Sequence, residues 1–394
     1  MKVKFFKKIF GVLVFCLIAG IICFSSDLVD VEKLRVYFTV AEFTEDFDNN
    51  NLPFSTHNYD MLSDIEKQAY VAIFKNISKH PEYIKIPSLT SDEFNKVYFA
   101  VKNDNPDIMC FSDTCSMFVF GSASFLQFTY EYDIYECKQR SEKLQETVKI
   151  IIDEMPEFPD DYSRELYIHD YIVQNCDYRD EQNASSAYSC LVDGVAVCSG
   201  YSRAAMLLFK NAGIDSMLVA GVGESASQGT VSHMWNIVWI DGYPYHVDVT
   251  WDDPANNTGE IISHLYFNLT DDELNTDHSE YDIPFECNVE TYNYFNYNNL
   301  MYNCYNKDVL NILKLKLVNN INNGQNFIEF AFDNKGAYLS AKHNLVENIT
   351  ANSDIYGFFE YLMQYTDGNV DNTHVNFACD DNKNYIRMMF DNIE

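Results

Sequence analysis

Residues 233–251 read HMWNIVWIDGYPYHVDVTW, and this stretch determines how we interpret the rest of the chain. Two runs rich in β-branched and aromatic residues flank the dipeptide Asp241-Gly242. Asp-Gly in this setting is a strong signal for a two-residue hairpin turn, because both turn positions need a positive φ that these residues tolerate. The pattern therefore predicts two antiparallel strands in which Ile240 pairs with Tyr243.

The predicted register places three side chains on one face of this hairpin. Counting back from the turn, Trp235 lies opposite Asp248, and the alternation of side chains puts His233 on the same face. His233 and Asp248 are then diagonal neighbours whose backbones are about 7–8 Å apart, so their side chains can meet. A four-residue turn would preserve this relation, whereas a three-residue turn without a bulge would destroy it. A carboxylate beside an imidazole fixes its tautomer and stabilises the imidazolium.

Two further residues of this face leave alternatives open. His246 is a rival for the role of base, but it stands two residues from Asp248 on the same strand, where side chains point in parallel. We therefore prefer His233. Trp235 either shields the bond between His233 and Asp248 from water or simply packs in the core.

Cys198 is the candidate nucleophile. The small, turn-prone residues 193–197 precede it, and Ser199-Gly200 leads into a predicted helix that ends at Ala212-Gly213. A cysteine at a helix N-terminus meets unpaired backbone N–H groups and the positive end of the helix dipole, which favour the reactive thiolate. The same N–H groups can hold the oxyanion of a tetrahedral intermediate. Taken alone, Cys198 could equally be a buried cysteine like Cys190.

Several stretches together resemble the bacterial transglutaminase-like core family. They are IHDYIVQNCDY, AYSCL, AVCSGYSRAAMLLFKNAGI, HMWNIVWIDGYPYHVDVTWDDP and SHLYFNLTDDEL followed by DH, all within residues 136–280. The resemblance implies an α+β fold with a papain-like core, in which a cysteine-bearing helix packs on an antiparallel sheet. It also implies that Cys198 is the nucleophile, His233 the base and Asp248 the residue that orients the base.

The resemblance leaves some roles unassigned. Papain-type enzymes carry a glutamine shortly before the cysteine, and residues 191–197 contain none. The Tyr201 hydroxyl is one candidate for the second oxyanion donor, with simple packing as the alternative. Asp252-Asp253 invites a calcium interpretation, but the following proline favours a turn. His169 fits a hydrogen-bonded structural histidine of the lead-in helix.

The flanking regions carry no recognisable chemistry. We predict an N-terminal α+β region over residues 26–135, in which Ser63-x-x-Glu66 and Thr90-x-x-Glu93 are capping boxes that begin helices. The catalytic domain is predicted over residues 136–285. A small α+β domain follows over residues 290–394, with a faint repeat between residues 330–341 and 377–388, each copy interpreted as helix, strand, turn and strand.

Composition and the N-terminus bear on location and partners. Residues 1–25 hold four lysines and the apolar run 9–24, which indicates a signal peptide or an N-terminal anchor. A formal net charge of −32 argues against nucleic acid and anionic lipid as partners. Membrane contact is then expected only through the N-terminal segment. The 11 cysteines form no CxxC pair or zinc-type spacing, so we expect no metal site and no cofactor.

These observations lead to a functional expectation with open alternatives. We expect a secreted or cell-surface enzyme that cleaves or transfers amide bonds of proteins or peptides, such as those of the cell wall, through an acyl-thioester at Cys198. Hydrolysis is preferred because it makes the fewest demands on the site. The alternatives are a protein-crosslinking transglutaminase and a non-catalytic surface module that retains a relic site.

Overall fold

The computed structural model describes residues 31–40, 47, 52–109, 111–225, 229–253, 262–348, 353–364 and 375–390. The predicted signal peptide or anchor, residues 1–25, lies outside the described residues. The chain divides into two compact units, Met1–Lys143 and Leu144–Glu394. In the described parts of the chain, no helix has both the length and the apolar character needed to cross a membrane.

The first unit combines helices with a small antiparallel sheet. Its elements are α1 (Val31–Thr39), α2 (His57–Asp60), α3 (Asp64–Ile77), β1 (Ile84–Pro87), α4 (Ser91–Asp104), β2 (Phe111–Phe120), β3 (Ala123–Tyr130) and α5 (Ile134–Glu154), which continues into the second unit. The sheet has the order β1-β3-β2. Both predicted capping boxes are present, and they begin α3 and α4 as expected. Apolar residues of α3 and α4 pack on β1 and β3 to form the core.

The second unit opens with the elements that position the candidate site. They are α6 (Asp161–Asn175), β4 (Asp177–Tyr178), β5 (Val195–Ala196), α7 (Cys198–Asn211), β6 (Asp215–Ser225), β7 (Gly229–Ile240), β8 (Tyr243–Val247), α8 (Asp271–Leu274) and β9 (His278–Ser279). The antiparallel sheet has the order β8-β7-β6-β9. Helix α6 begins directly after Asp160, whose side chain caps it by accepting the N–H of Ser163.

The hairpin of β7 and β8 has the predicted register. Ile240 pairs with Tyr243 and Asn236 with Val247, which extends to Trp235 opposite Asp248. Asp241 and Gly242 have φ values of 51° and 81°, the positive pair that this turn requires. The shared face of His233 and Asp248 is therefore a direct result of turn chemistry and strand alternation.

The C-terminal part of the second unit builds its own core. Its elements are α9 (Tyr294–Tyr297), β10 (Met301–Tyr302), α10 (Lys307–Asn322), β11 (Phe327–Phe332), α11 (Lys335–Lys342), α12 (Asp354–Leu362), β12 (Val375–Asp380) and β13 (Tyr385–Phe390). The sheet has the order β10-β11-β13-β12. The second predicted copy of the repeat has the expected helix and two strands.

The first predicted copy of the repeat is wrong in its last element. Residues after β11 form helix α11 instead of a second strand. Asn334 causes this difference, because its side chain accepts the N–H of Ala337 and so begins a helix. Tyr338 and Ala341, at helical spacing, are then buried in the C-terminal core. The resemblance between the two stretches is therefore one of sequence and not of structure.

The described cysteines are mostly unpaired. Cys137 is disulfide-bonded. The seven free cysteines are Cys115, Cys176, Cys190, Cys198, Cys287, Cys304 and Cys379. Three of the free thiols are buried, as expected of small apolar residues, whereas Cys198 is partly exposed.

Candidate active site

Cys198 is the first residue of α7, as the sequence predicts. Helix α7 packs on β6 and β7, so its N-terminus points along the face of the sheet. Gly200 allows the approach to this helix, because an added Cβ would lie 2.7 Å from both the Ala184 carbonyl oxygen and the Ala196 Cβ. The N–H groups of Cys198 and Ser199 stand in the first turn, where no intrahelical acceptor exists.

Two polar side chains hold α7 against β7. The Ser202 hydroxyl lies 2.8 Å from the carbonyl oxygens of both Cys198 and Met234 and shares its proton between them. In return, the Asn236 amide donates to the Ser202 carbonyl at 3.0 Å. These buried bonds join the start of the helix to the strand that carries His233. They therefore position the thiol relative to the imidazole.

The structure brings Cys198, His233 and Asp248 together. His233 Nε2 lies 2.6 Å from Asp248 Oδ2, and both side chains are buried. The Cys198 side chain is near enough to the His233 ring to influence its pKa, and Nδ1 is the ring nitrogen that Asp248 leaves available to the thiol. The other carboxylate oxygen of Asp248 accepts the N–H groups of Thr250 at 3.0 Å and Trp251 at 3.2 Å. Asp248 is thus held at both oxygens.

The electrostatics favour a charged histidine. Burial alone would lower the pKa of His233, but the charge of Asp248, the hydrogen bond that the ring donates to Asp248 and the neighbouring Cys198 raise it to about 10. Burial would raise the pKa of Asp248, yet the opposite charge of His233 and its hydrogen bonds hold that pKa far below the usual range. At neutral pH His233 is therefore an imidazolium beside a carboxylate, which suits a thiolate at Cys198.

His246, the rival base, uses both ring nitrogens in hydrogen bonds to other residues. The Trp235 indole N–H, which can only donate, lies 3.0 Å from His246 Nδ1. The proton of the neutral ring is then on Nε2, which donates to Asp271 Oδ1 at 2.9 Å. Burial lowers the pKa of His246, in agreement with a neutral ring. Trp235 both packs near His233, with ring centroids 6.1 Å apart, and orients His246.

The suggestion that Tyr201 supplies an oxyanion donor is wrong. Its buried hydroxyl donates to the Cys176 carbonyl at 2.8 Å and lies 2.5 Å from Asp253 Oδ2. The hydroxyl proton is therefore used within the core, and packing was the correct alternative. The N–H groups of Cys198 and Ser199 are the donors that the helix offers for an oxyanion.

Sequence reasoning assigned no role to two neighbours of the catalytic candidates. The Trp251 ring lies 5.2 Å from that of His233 and 4.3 Å from that of His278. Gly223 makes room for it, because a Cβ there would lie 2.7 Å from Trp251 Cζ2. His278 Nε2 lies 3.2 Å from Asp248 Oδ2. Both residues belong to stretches that carry the family resemblance, but their roles depend on long-range contacts.

Asp252 and His169 belong to a buried hydrogen-bond network. Asp252 accepts the N–H of Tyr266 and contacts His169 Nε2 at 3.2 Å, so its oxygens are used in holding a turn. His169 Nδ1 lies 2.9 Å from Asp170, as expected of a structural histidine. The same Asp170 oxygen lies 2.9 Å from His264 Nε2.

The network ends on the C-terminal sheet. His264 Nδ1 contacts Glu329 of β11, and the Tyr385 hydroxyl donates to the other Glu329 oxygen at 2.9 Å. Burial would lower the pKa of His264, but Glu329 and Asp170 raise it to about 10. The alternating charges of Asp170, His264 and Glu329 thus connect helix α6 to the C-terminal sheet of the same unit.

Three groups in the described residues have metal-type ligand atoms within 4.8 Å of one another: His169, Asp170 and His264; His233, Asp248 and His278; His246, Asp271 and Cys287. In each group the histidine nitrogens face carboxylate oxygens through hydrogen bonds. A nitrogen that carries a proton has no lone pair for a metal. These geometries fit hydrogen-bond networks, and we assign no metal to them.

Comparisons with known proteins agree with this arrangement. Residues 153–249 match the family model of the Transglutaminase-like superfamily. A search of the curated proteins returns no match. The predicted α+β core is confirmed, with its cysteine-bearing helix packed on an antiparallel sheet.

Three similar solved structures each align with less than half of this chain. A "Putative Cysteine Protease from Cytophaga hutchinsonii" is 15% identical, covers 35% of this chain and 61% of its own, and has a TM-score of 0.23. A "TGase" is 16% identical, covers 44% and 52%, and has a TM-score of 0.26. A "putative protease from Parabacteroides distasonis ATCC 8503" is 9% identical, covers 34% and 35%, and has a TM-score of 0.21. This chain spans less than two thirds of each of these proteins.

Proposed function

We propose that this chain is a thiol-dependent acyl-transfer enzyme acting on amide bonds through Cys198, in keeping with the match of residues 153–249 to the family model of the Transglutaminase-like superfamily. The observation that supports this most directly is that Cys198, the first residue of α7, lies beside the buried and hydrogen-bonded pair of His233 and Asp248. A nucleophile, a base and a residue that orients the base are the parts that cysteine acyl transfer requires.

The first half-reaction uses the thiolate and the imidazolium. The Cys198 sulfur attacks the amide carbonyl carbon, and the carbonyl oxygen becomes an oxyanion near the N–H groups of Cys198 and Ser199. His233 gives its proton to the amide nitrogen as the C–N bond breaks. An amine leaves, and the acyl group remains on Cys198 as a thioester.

The second half-reaction regenerates the thiolate. His233, now neutral, removes a proton from the acceptor as the acceptor attacks the thioester. Water gives a carboxylic acid, and a primary amine gives a new amide. We favour water, because hydrolysis requires no second binding site for an amine. The proposed substrates are proteins or peptides outside the cytoplasm, such as those of the cell wall, in keeping with the basic and apolar residues 1–25.

Labelling of the thiol tests the proposal without a known substrate. At about pH 6, iodoacetamide should modify Cys198 much faster than Cys304, because an ordinary thiol is protonated below about pH 8.5. Cys304 is a useful internal reference, since it is free and exposed. His233→Ala should abolish the difference. Equal, slow labelling of both cysteines in the wild-type protein would instead favour the non-catalytic surface module.

Product masses separate the two acyl-transfer reactions. The protein is incubated with a peptide library in the presence and absence of a primary amine, and Cys198→Ala serves as the matched control. New carboxyl termini without amine incorporation would support hydrolysis. Amine-containing products would support the crosslinking alternative. Products that persist in Cys198→Ala would contradict both reactions.

A further inference from the structure

Asp248 is shared by two imidazole rings. His233 Nε2 lies 2.6 Å from Asp248 Oδ2, and His278 Nε2 lies 3.2 Å from the same oxygen. The other nitrogen of His278, Nδ1, lies 2.7 Å from Asp277 Oδ1. An imidazole can donate to two carboxylates only when both nitrogens carry protons. The geometry therefore makes His278 an imidazolium, with only 1% of its surface exposed.

The charges continue to alternate beyond His278. Lys383 Nζ lies 3.3 Å from Asp277 Oδ2, and the Tyr266 hydroxyl donates to that oxygen at 2.9 Å. Lys383 also donates to the Glu273 carbonyl and the Thr276 hydroxyl, each at 2.9 Å. It comes from the turn between β12 and β13. The C-terminal sheet thus contributes a partly buried cation to the series that begins at Cys198.

We propose that His278 is a positioning residue of the active site, which holds Asp248 and sets the pH range in which Cys198 and His233 react. This inference rests on the proposed function of Cys198. The ring centroids of His233 and His278 are 5.4 Å apart, so a charge on one ring acts strongly on the other. The series of Asp277, His278 and Lys383 supplies a fixed positive charge on the far side of Asp248.

The groups that face His278 are two carboxylates and several aromatic rings. Asp248 and Asp277 contact its nitrogens, and the rings of Trp251, Trp235 and Tyr266 lie 4.3, 5.0 and 5.7 Å from its own. His246 is also near enough to feel its charge. Of the titratable groups around it, His233 is the one that shares Asp248 with it.

Removal of the charge has a defined consequence for the rate of Cys198 modification. A plot of the Cys198 labelling rate against pH has two transitions. The rate rises on an acid limb, where the thiolate forms, and changes again on an alkaline limb, where His233 loses its proton. A nearby cation stabilises the thiolate and disfavours the protonated form of His233. It therefore shifts the midpoints of both limbs to lower pH. Without it, both limbs should move to higher pH, and the alkaline limb by about one to two pH units at the separation of the two rings.

The experiment measures the labelling rate of Cys198 by iodoacetamide against pH, with peptide mass spectrometry, in the full chain. His278→Gln keeps a hydrogen-bond donor and removes the charge. His246→Gln is the matched control, because His246 is also buried and bonded to a carboxylate but is neutral. We expect both limbs to move upward in His278→Gln and to stay in place in His246→Gln. Lys383→Met, at the end of the series, should move them in the same direction by a smaller amount.

The outcomes separate this inference from the proposed function. If His278→Gln lowers the rate but leaves both limbs where the wild type has them, His278 is merely structural and the inference is wrong. If His278→Gln does not fold, unmoved limbs in Lys383→Met refute it equally. Failure of the proposed function looks different, because wild-type Cys198 would then label no faster than Cys304 at about pH 6.

Discussion

Replacement of Asp248 by asparagine should disable the site without changing its shape. Asp248 Oδ1 accepts the N–H groups of Thr250 and Trp251, so the amide oxygen of asparagine must occupy that position. The amide nitrogen then faces His233 and donates to Nε2. The ring must carry its remaining proton on Nδ1, toward Cys198, and it can no longer accept the proton of the thiol.

The structure also indicates the size of the effect. The pKa of His233 is about 10, compared with an ordinary value of 6.5, and Asp248 is the principal cause of the increase. That difference is worth about 5 kcal/mol in favour of the imidazolium. Without that pairing Cys198 becomes an ordinary thiol, which is only about 1% ionised at about pH 6.5, so labelling of Cys198 at that pH should slow by about 10²-fold.

The assay compares labelling rates of Cys198 and Cys304 in the wild type, Asp248→Asn and a control, Glu165→Gln. Glu165 is also a fully buried carboxyl group, but burial raises its pKa to about 8, so it is neutral at pH 7 and its amide replacement changes no charge. We expect the control to label like the wild type. A folded Asp248→Asn protein that labels Cys198 within about threefold of the wild type would refute the reasoning.

Three further outcomes are expected. The pKa of His264 is raised to about 10 in the folded chain, so its stabilising charge is complete below pH 6.5 and is lost as pH rises through about 10. Glu329→Gln should lower the unfolding free energy at about pH 7 by about 3 kcal/mol and flatten its fall toward alkaline pH, as measured by urea denaturation. Gly200→Ala should cost about 1–3 kcal/mol, because its Cβ would meet the Ala184 carbonyl, and thermal unfolding can be compared with Gly336→Ala, where the nearest atom is at 3.5 Å. Tyr201→Phe should lower the unfolding free energy by about 1–3 kcal/mol yet leave the Cys198 labelling rate within about threefold, because its hydroxyl serves the core.

Local patterns predicted the parts of the site that depend on neighbours in the sequence. The Asp241-Gly242 turn and the alternation of β7 and β8 are enough to place His233 and Asp248 on one face. The start of α7 at Cys198 follows from flanking glycine and helical spacing. The predicted strand in the first copy of the C-terminal repeat was wrong for a local reason too. Asn334 caps a helix there, and this cap outweighed a weak resemblance to a strand.

The contacts that decide chemistry are of longer range. Tyr201 lies three residues beyond Cys198, a little less than one helical turn, and only the packed core shows that its hydroxyl is used at Cys176 and Asp253. His246 has the correct residue type and the correct face, but Trp235 fixes it as a neutral ring directed at Asp271. Neither assignment follows from spacing alone.

The sequence by itself determined the nucleophile, the base and the orienting carboxylate as candidates, because turn type, strand period and helix start are set by adjacent residues. Only the tertiary structure decided what surrounds them. His278 reaches Asp248 across 30 positions of the chain, and Lys383 reaches Thr276 across 107. Such contacts depend on how whole elements pack, and a buried charge acquires its protonation state from the partners that packing brings to it.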